Sequence, residues 1–260
     1  MLVAIPIASG VLRVAILGID SIPSPEGHSA EVAIAEAAAT AGCFVAATGF
    51  EWRDHLARAW ALQGTMYTFL LLRCLGLAFG LLTGSPAASL ADGILVTIAN
   101  IGGIFSTWML ARTGMIAGID IVISPIYRRA AWVVALVVAL AATGPGLLTA
   151  IGRLAGGNPA ALVSVSSRTG DIFSFVLIAP LLITTLALRQ GLLVWPWALL
   201  TASGVCWLSA DFANASFLHL PAGTVGPLFD IFRFPACLFV LTAGIAQRWV
   251  VDARELDHAG

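Results

Sequence analysis

The stretch that decides the fold is AAWVVALVVALAATGPGLLTAI, residues 130–151, which holds no charged side chain. A helix rises by about 1.5 Å per residue, so a run of this length crosses roughly 30 Å of hydrocarbon. Similar runs recur along the chain, because 59% of its 260 residues are hydrophobic and only 10% are charged. A soluble domain is about one quarter charged. This composition therefore excludes a soluble globular enzyme, and it is the opposite of a disordered chain.

The apolar runs predict an all-α, polytopic membrane helix bundle of about eight transmembrane helices. The predicted spans cover residues 2–19, 32–50, 60–82, 91–111, 130–151, 171–188, 191–212 and 228–249. The weakest is 32–50, since it carries Glu36. Residues 114–127 are apolar but short and fit an interfacial or re-entrant segment. All connections are short, so we expect a single transmembrane domain over residues 1–260 and no soluble domain.

The arginines predict the orientation of the chain. With the C-terminus in the cytoplasm, eight loop or tail arginines fall on the inner side, and only Arg153 and Arg168 fall on the outer side. This is the bias of the positive-inside rule, and seven tryptophans near the inner boundary suggest one interfacial belt. Both termini are therefore predicted to be cytoplasmic. We expect a multi-pass protein of the cell inner membrane, in contact with membrane lipids.

The absence of lysine excludes several functions. All 13 basic residues are arginine, so a covalently bound retinal, which needs a lysine Schiff base, is ruled out together with P-loop chemistry. No basic tract supports nucleic-acid binding. The cysteines and histidines show no metal-ligand spacing, and no catalytic arrangement is recognisable. We therefore expect no enzyme activity, no catalytic residue and no metal, while the identity of any other cofactor stays open.

Two segments, 60–112 and 197–248, read as a duplicated helical hairpin. Each opens with Trp-Ala-Leu and continues through a Gly- and Pro-containing turn to an aspartate and an apolar run that ends in arginine. Asp92 follows the first tryptophan by 32 positions and Asp230 follows the second by 33. Two ordinary hairpins of equal length would also look alike, and duplication alone does not select a function.

Charged residues inside the spans are the candidate ligand site or polar network, because charges in a bilayer need partners or water. They are Arg73, Asp92, Asp171, Asp211, Asp230 and Arg233. Three of the aspartates lie where predicted spans begin, so they either cap helix N-termini or converge on an outward-facing pocket. The near-equivalent repeat positions of Arg73 and Asp211 predict an ion pair between them. Arg233 lies one turn after Asp230, which predicts an intrahelical pair.

Three stretches carry a resemblance to a known family. They are SPAASLADGILVTIANIGG (85–103), SSRTGDIFSFVLIAPLL (166–182) and WALLTASGVCWLSADF with GPLFDIFRFPACLFVLTAG (197–212 and 226–244). Residues 60–250 resemble the eight-helix membrane sensor regions that precede bacterial diguanylate cyclase, phosphodiesterase and histidine kinase domains. The positions that match are Trp60, Asp92, Asp171, Trp197, Asp211 and Asp230. The resemblance implies signalling across a membrane but no particular ligand.

Two departures from that family shape the functional expectation. The family continues into a cytoplasmic output domain, whereas this sequence stops at Gly260, and Arg73 stands where a small or acidic residue is expected. We therefore expect a sensory or accessory subunit that acts with a protein partner in or at the membrane, through helix rearrangement around the Arg/Asp network. The alternatives are a small-solute or ion transporter, and a subunit that holds a pigment, lipid or other apolar cofactor.

Overall fold

The computed structural model describes residues 25–116, 124–188, 192, 194–216 and 222–259, and within these ranges it contains seven α-helices and no strand. The helices are α1 (Pro25–Ala47), α2 (His55–Ala78), α3 (Pro86–Ile116), α4 (Pro125–Ala155), α5 (Ala161–Ala187), α6 (Val194–Ser216) and α7 (Ala222–Ala259). The predicted all-α class is therefore confirmed for the described residues.

Five helical segments are long and apolar enough to cross a membrane. They are His55–Ala78, Pro86–Thr113, Pro125–Ala155, Ala161–Ala187 and Ile231–Ala253. Val32–Ala47 and Val194–Ala210 are apolar but shorter. The fold is thus a bundle of membrane-type helices, and the count of eight spans stays a prediction. The predicted span 2–19 lies outside the described residues, as does half of the segment 114–127, namely residues 117–123.

Six of the helices form a ring. In it α1 packs on α2, α2 on α3, α3 on α5, α5 on α6 and α6 on α7, and α7 packs back on α1. Helix α4 lies outside the ring against α5 and α6. Only 28% of its apolar segment is buried, compared with 61% for α7. In a bilayer, the exposed valines and leucines of α4 would face lipid.

The contact between α1 and α7 is unusually close. The two helices run parallel: Glu36 pairs with Arg233, and further along Arg248 donates to the carbonyl oxygen of Thr48 at 2.8 Å. Between these points, a Cβ atom on Gly244 would collide with the carbonyl oxygen of Gly42. Glycine at such a crossing lets two helix backbones approach closely in a membrane bundle.

The tryptophans divide into two groups, which corrects the prediction of one interfacial belt. Trp52 and Trp249 are largely exposed, as belt residues should be, but the repeat residues Trp60 and Trp197 are only 1% and 6% exposed. Both belong to the main core cluster of the bundle, with Tyr67 among others. A tryptophan at the start of an apolar run can therefore pack in the core of the bundle as well as lie at the membrane interface.

Candidate ligand cavity and its ion pairs

The first polar contact in the bundle joins α2 and α3. Nε of Arg73 donates to Oδ1 of Asp92 at 2.6 Å, and Nη2 donates to Oδ2 at 3.4 Å. The side chains are 18% and 13% exposed, so the pair is largely shielded from solvent. The partner that the structure shows for Arg73 is therefore Asp92, and the predicted pair with Asp211 stays a prediction. Asp211 lies in α6, among residues whose side chains fall outside the described part of the structure.

The second contact joins helices that are far apart in sequence. Nη2 of Arg233 on α7 donates to Oε1 of Glu36 on α1 at 2.9 Å. Glu36 is fully buried, with Cys74 lying against it, and the Arg233 guanidinium stacks over the ring of Trp207 at 5.4 Å. The predicted pairing of Arg233 with Asp230 stays a prediction, because the side chain of Asp230 is not described.

Both arginines lie on the wall of a cavity of about 300 Å³ inside the ring. Its wall is built by one face each of α2, α3, α5, α6 and α7, and α1 lies behind α2 and α7. The polar and aromatic side chains on the wall are Gln63, Tyr67, Arg73, Asn100, Thr107, Ser167, Asp171, Ser174, Phe175, Ser203, Trp207 and Arg233. A cavity of this size is at the lower end of the range of small-molecule pockets.

The two arginines lie towards one end of the cavity, whereas polar side chains line its whole depth. Arg73 lies near the start of α3, beside Asp92, and Gly93 there packs on Leu162 at the start of α5. At the opposite end of the bundle, His55 is hydrogen-bonded to the carbonyl oxygen of Met109 at 2.9 Å. The cavity residues nearest that end are the apolar Leu110, Leu181, Leu200 and Val240 together with the polar Gln63 and Thr107. The site therefore offers hydrogen-bonding groups along its whole depth, with the arginines towards one end.

Hydrogen bonds between helices stiffen the wall. The hydroxyl of Ser106 on α3 is hydrogen-bonded to Gln63 on α2, and Asn100 on α3 donates to Ser166 on α5 at 3.4 Å. Gly170 allows the second contact, since a Cβ atom there would collide with Asn100. Together with the ion pairs, these bonds connect three of the six neighbouring helix pairs of the ring: α2–α3, α3–α5 and α1–α7.

The prediction that aspartates cap helices is wrong for the three spans concerned. The helix that holds Asp92 begins at Pro86, the helix with Asp171 begins at Ala161, and the helix with Asp230 begins at Ala222. Each aspartate therefore lies well inside its helix, where the backbone N–H groups are already bonded to carbonyl oxygens. Of the predicted pocket residues among these three aspartates, Asp171 lines the cavity, whereas Asp92 contacts Arg73 on its wall.

Sequence reasoning missed the functional importance of Glu36. The residue counted only as a weakness of the span 32–50, whereas the structure gives it the most buried carboxylate among the described ion pairs. The available signal was the rule that a charge inside a span needs a partner. Nothing in the local pattern could show that this partner is Arg233. Asn100, Gln63 and the serines of the wall carried no distinguishing pattern either.

The fold and site define a bundle of membrane-type helices with an internal cavity that has two arginines on its wall. Among the described residues, no group of three or more His, Cys, Asp or Glu side chains is placed to hold a metal ion. No protein-family model, curated protein or solved structure matches the chain. The resemblance to bacterial sensor regions therefore stays a prediction.

Proposed function

We propose that this chain is an integral membrane sensory or accessory subunit of the cell inner membrane. A small molecule in the cavity would alter the two ion pairs, and the resulting helix movement would be passed to a protein partner in or at the membrane. The observation that carries this proposal is the position of Arg73 and Arg233. Each arginine lies on the cavity wall and also ties together two helices of the ring.

The ion pairs give a physical route from cavity to helix packing. A guanidinium has five N–H donors in a fixed fork, so a bound ligand that accepts from one edge shifts the bonds made by the other. Glu36 lies on α1, behind the cavity wall, and is held by Arg233. A displacement of Arg233 therefore acts directly on the contact between α1 and α7.

Helix α7 is a suitable output element. Its 38 residues span about 57 Å, roughly twice the thickness of a bilayer core. Its apolar segment ends at Ala253 while the helix continues to Ala259. A helix that carries Arg233 on the cavity wall and continues past the apolar segment can transmit rotation or tilt to a partner.

A transporter is the second candidate, because a cavity with charged walls inside a helix bundle also suits solute passage. Native mass spectrometry of the protein, gently extracted from its own membrane, separates the two. The subunit proposal expects a protein partner in fixed stoichiometry. It also expects the amount of complex to change in Glu36→Gln and to stay unchanged in the control Asp54→Asn, which alters an exposed residue. A chain that carries no partner and moves solute into liposomes would overturn the proposal.

A further inference from the structure

The charged side chains on the cavity wall are already engaged with other groups of the protein. Nε and Nη2 of Arg73 are bonded to Asp92. Arg233 is bonded to Glu36 and has a further interaction within the chain, as does Asp171. Each of the three charged groups on the wall therefore has a partner before any ligand binds.

Three hydroxyl groups of the wall, in contrast, have unused hydrogen-bonding capacity. Elsewhere in the bundle a threonine hydroxyl commonly donates to the backbone carbonyl oxygen four residues earlier, as in Thr97 and Thr143. Within the described part of the chain, the wall hydroxyls of Thr107, Ser167 and Ser174 form neither this bond nor another. A hydroxyl can donate one hydrogen bond and accept two, so each of these groups can bind a ligand in either sense.

The amide of Gln63 adds two donors to these hydroxyls. Its Oε1 atom accepts from Ser106, and the side chain is 6% exposed and lies on the cavity wall. The two N–H groups of the amide have no partner among the residues that the structure describes. A buried donor without a partner is costly, so a ligand oxygen that accepts from Gln63 would be favoured.

The free hydroxyl groups lie at two levels of the cavity. Helices α3 and α5 run parallel, and Asn100 on α3 is bonded to Ser166 on α5. Ser167 therefore lies close to the level of Asn100, and Thr107 and Ser174 both lie about two helical turns further on, which is about 10 Å. A ligand that uses all three hydroxyls must carry hydrogen-bonding groups along its length and not only at one end.

We propose that the cavity binds an uncharged polyhydroxylated molecule of the sugar-alcohol or monosaccharide class. Its hydroxyl groups bond to the free hydroxyls and the amide of the wall. Its C–H groups pack against the apolar wall residues that lie among them, such as Met66 and Ile178. This inference rests on the proposed function, since it names the chemical class of the signal.

The state of the wall groups favours an uncharged ligand over an anion or a cation. Since Arg73, Arg233 and Asp171 are already engaged, a ligand carboxylate or ammonium would have to compete with their protein partners. An unbalanced charge inside a membrane bundle is expensive. A hydroxyl of the ligand avoids this cost, and it can still accept from an N–H group of either arginine that faces the cavity.

Three probes with the same carbon chain and different charges test the inference. The full-length protein in nanodiscs is incubated with radiolabelled sorbitol, and gluconate and protonated glucamine, which carry a charged group at one end of that chain, compete for it. Empty nanodiscs give the background. The expected result is saturable binding of sorbitol, with each charged competitor weaker by at least about tenfold, because it brings an unbalanced charge into the cavity. Equal or tighter binding of gluconate or glucamine overturns the inference. So does the absence of saturable sorbitol binding, which is the result expected of a cavity that holds only water.

The variant Thr107→Val tests the role of the free hydroxyls. The substitution keeps the shape of the side chain and removes its hydroxyl, so the affinity for sorbitol should fall about fivefold. Thr97→Val on the same helix is the matched control, since the Thr97 hydroxyl is bonded to the carbonyl oxygen of Gly93, and it should bind as the wild type does. An unchanged affinity in Thr107→Val, or an equal loss in both variants, would contradict the assigned role. If the variants do not fold, the comparison of probes on the wild type still decides.

The ligand class and the proposed function can fail separately. A protein that retains its partner but binds none of the three probes removes the polyhydroxylated ligand and leaves the subunit role standing. A protein that binds sorbitol and carries it into liposomes without a partner removes the subunit role and leaves the ligand class standing.

Discussion

The α1–α7 contact and the α2–α3 contact each contain an arginine–carboxylate pair, but the pairs have different tasks. Arg73 and Asp92 are 19 positions apart and join the two helices of one hairpin, with both side chains partly exposed. Glu36 and Arg233 are 197 positions apart, and Glu36 is completely buried. A hairpin is already held by its short turn, whereas the contact between α1 and α7 closes the ring.

The difference between the two pairs shows at which contact the loss of one charged side chain should destabilise the bundle most. Burial of an ion pair gives little net stability, since desolvation offsets the attraction, but removal of one partner leaves the other charge buried and uncompensated. The distant pair should therefore be the sensitive one. The predictions below follow this comparison from the largest effect to the smallest.

Glu36→Ala should have the largest effect. The variant leaves Arg233 without its buried carboxylate, and we expect a loss of about 3–5 kcal/mol in the free energy of unfolding. Unfolding by a denaturing detergent, followed by circular dichroism, measures it. The control is Glu51→Ala, at an exposed loop position. The double variant Glu36→Gln/Arg233→Gln should be less destabilised than the sum of its two single variants, because neither charge then remains. A loss of unfolding free energy equal to that sum would contradict the assigned pairing.

Gly244→Ala should have the second-largest effect on stability, because it disturbs the packing of two helices and not a charge. The new Cβ atom would collide with the carbonyl oxygen of Gly42, so α1 and α7 must separate. We expect a loss of about 3 kcal/mol in the same unfolding assay. Gly152→Ala in α4 is the matched control, since its Cβ atom would meet nothing within 4 Å. Equal stability of the two variants would show that the close crossing does not exist.

Arg73→Ala should cost less, about 1.5 kcal/mol, the lower end for hydrogen bonds to a charged group. Asp92 is 13% exposed, whereas Glu36 is fully buried, and the short connection between α2 and α3 holds these helices together without the ion pair. The exposed Arg129, replaced by alanine, controls for the loss of an arginine elsewhere. A cost equal to that of Glu36→Ala would remove the distinction between the two contacts.

Asp252→Asn should have the smallest effect. Asp252 accepts from Arg248 at 2.9 Å within α7, and the side chains are 45% and 34% exposed. Exposed pairs four residues apart on a helix contribute about 0.3–0.5 kcal/mol. We expect a shift of this size that disappears in high salt, measured by the same unfolding assay at two ionic strengths. A salt-independent loss above 1 kcal/mol would contradict the surface assignment.

The sequence was sufficient to predict a bundle of membrane-type helices and to identify the residues that place charged side chains inside it. Composition predicts the all-α class, and the cost of charge in hydrocarbon singles out Arg73, Asp92 and Arg233. The starts of the helices could not be predicted from hydropathy, which marks the hydrocarbon-length part of a helix and not its full extent. Helix α3 therefore begins six residues before Asp92, and the prediction of a cap failed.

The partners of the charges were also beyond the sequence. The position of Arg73 in an apparent repeat predicted Asp211 as its partner, and nothing in that repeat indicated that the α2–α3 hairpin places Asp92 within hydrogen-bond distance of Arg73. The pairing of Glu36 with Arg233 depends on how six helices close into a ring, and no local pattern contains that information. The cavity has the same origin, since its wall takes a few residues from each of five helices.

The most direct test of the central claim, that the ion pairs couple the helices of the ring, is hydrogen–deuterium exchange of Glu36→Gln and the wild type in nanodiscs. The account predicts faster exchange in α1 and α7 and, through Arg233 and Trp207, in α6, with α4 unchanged. Faster exchange confined to α1, or spread equally to α4, would contradict the coupling.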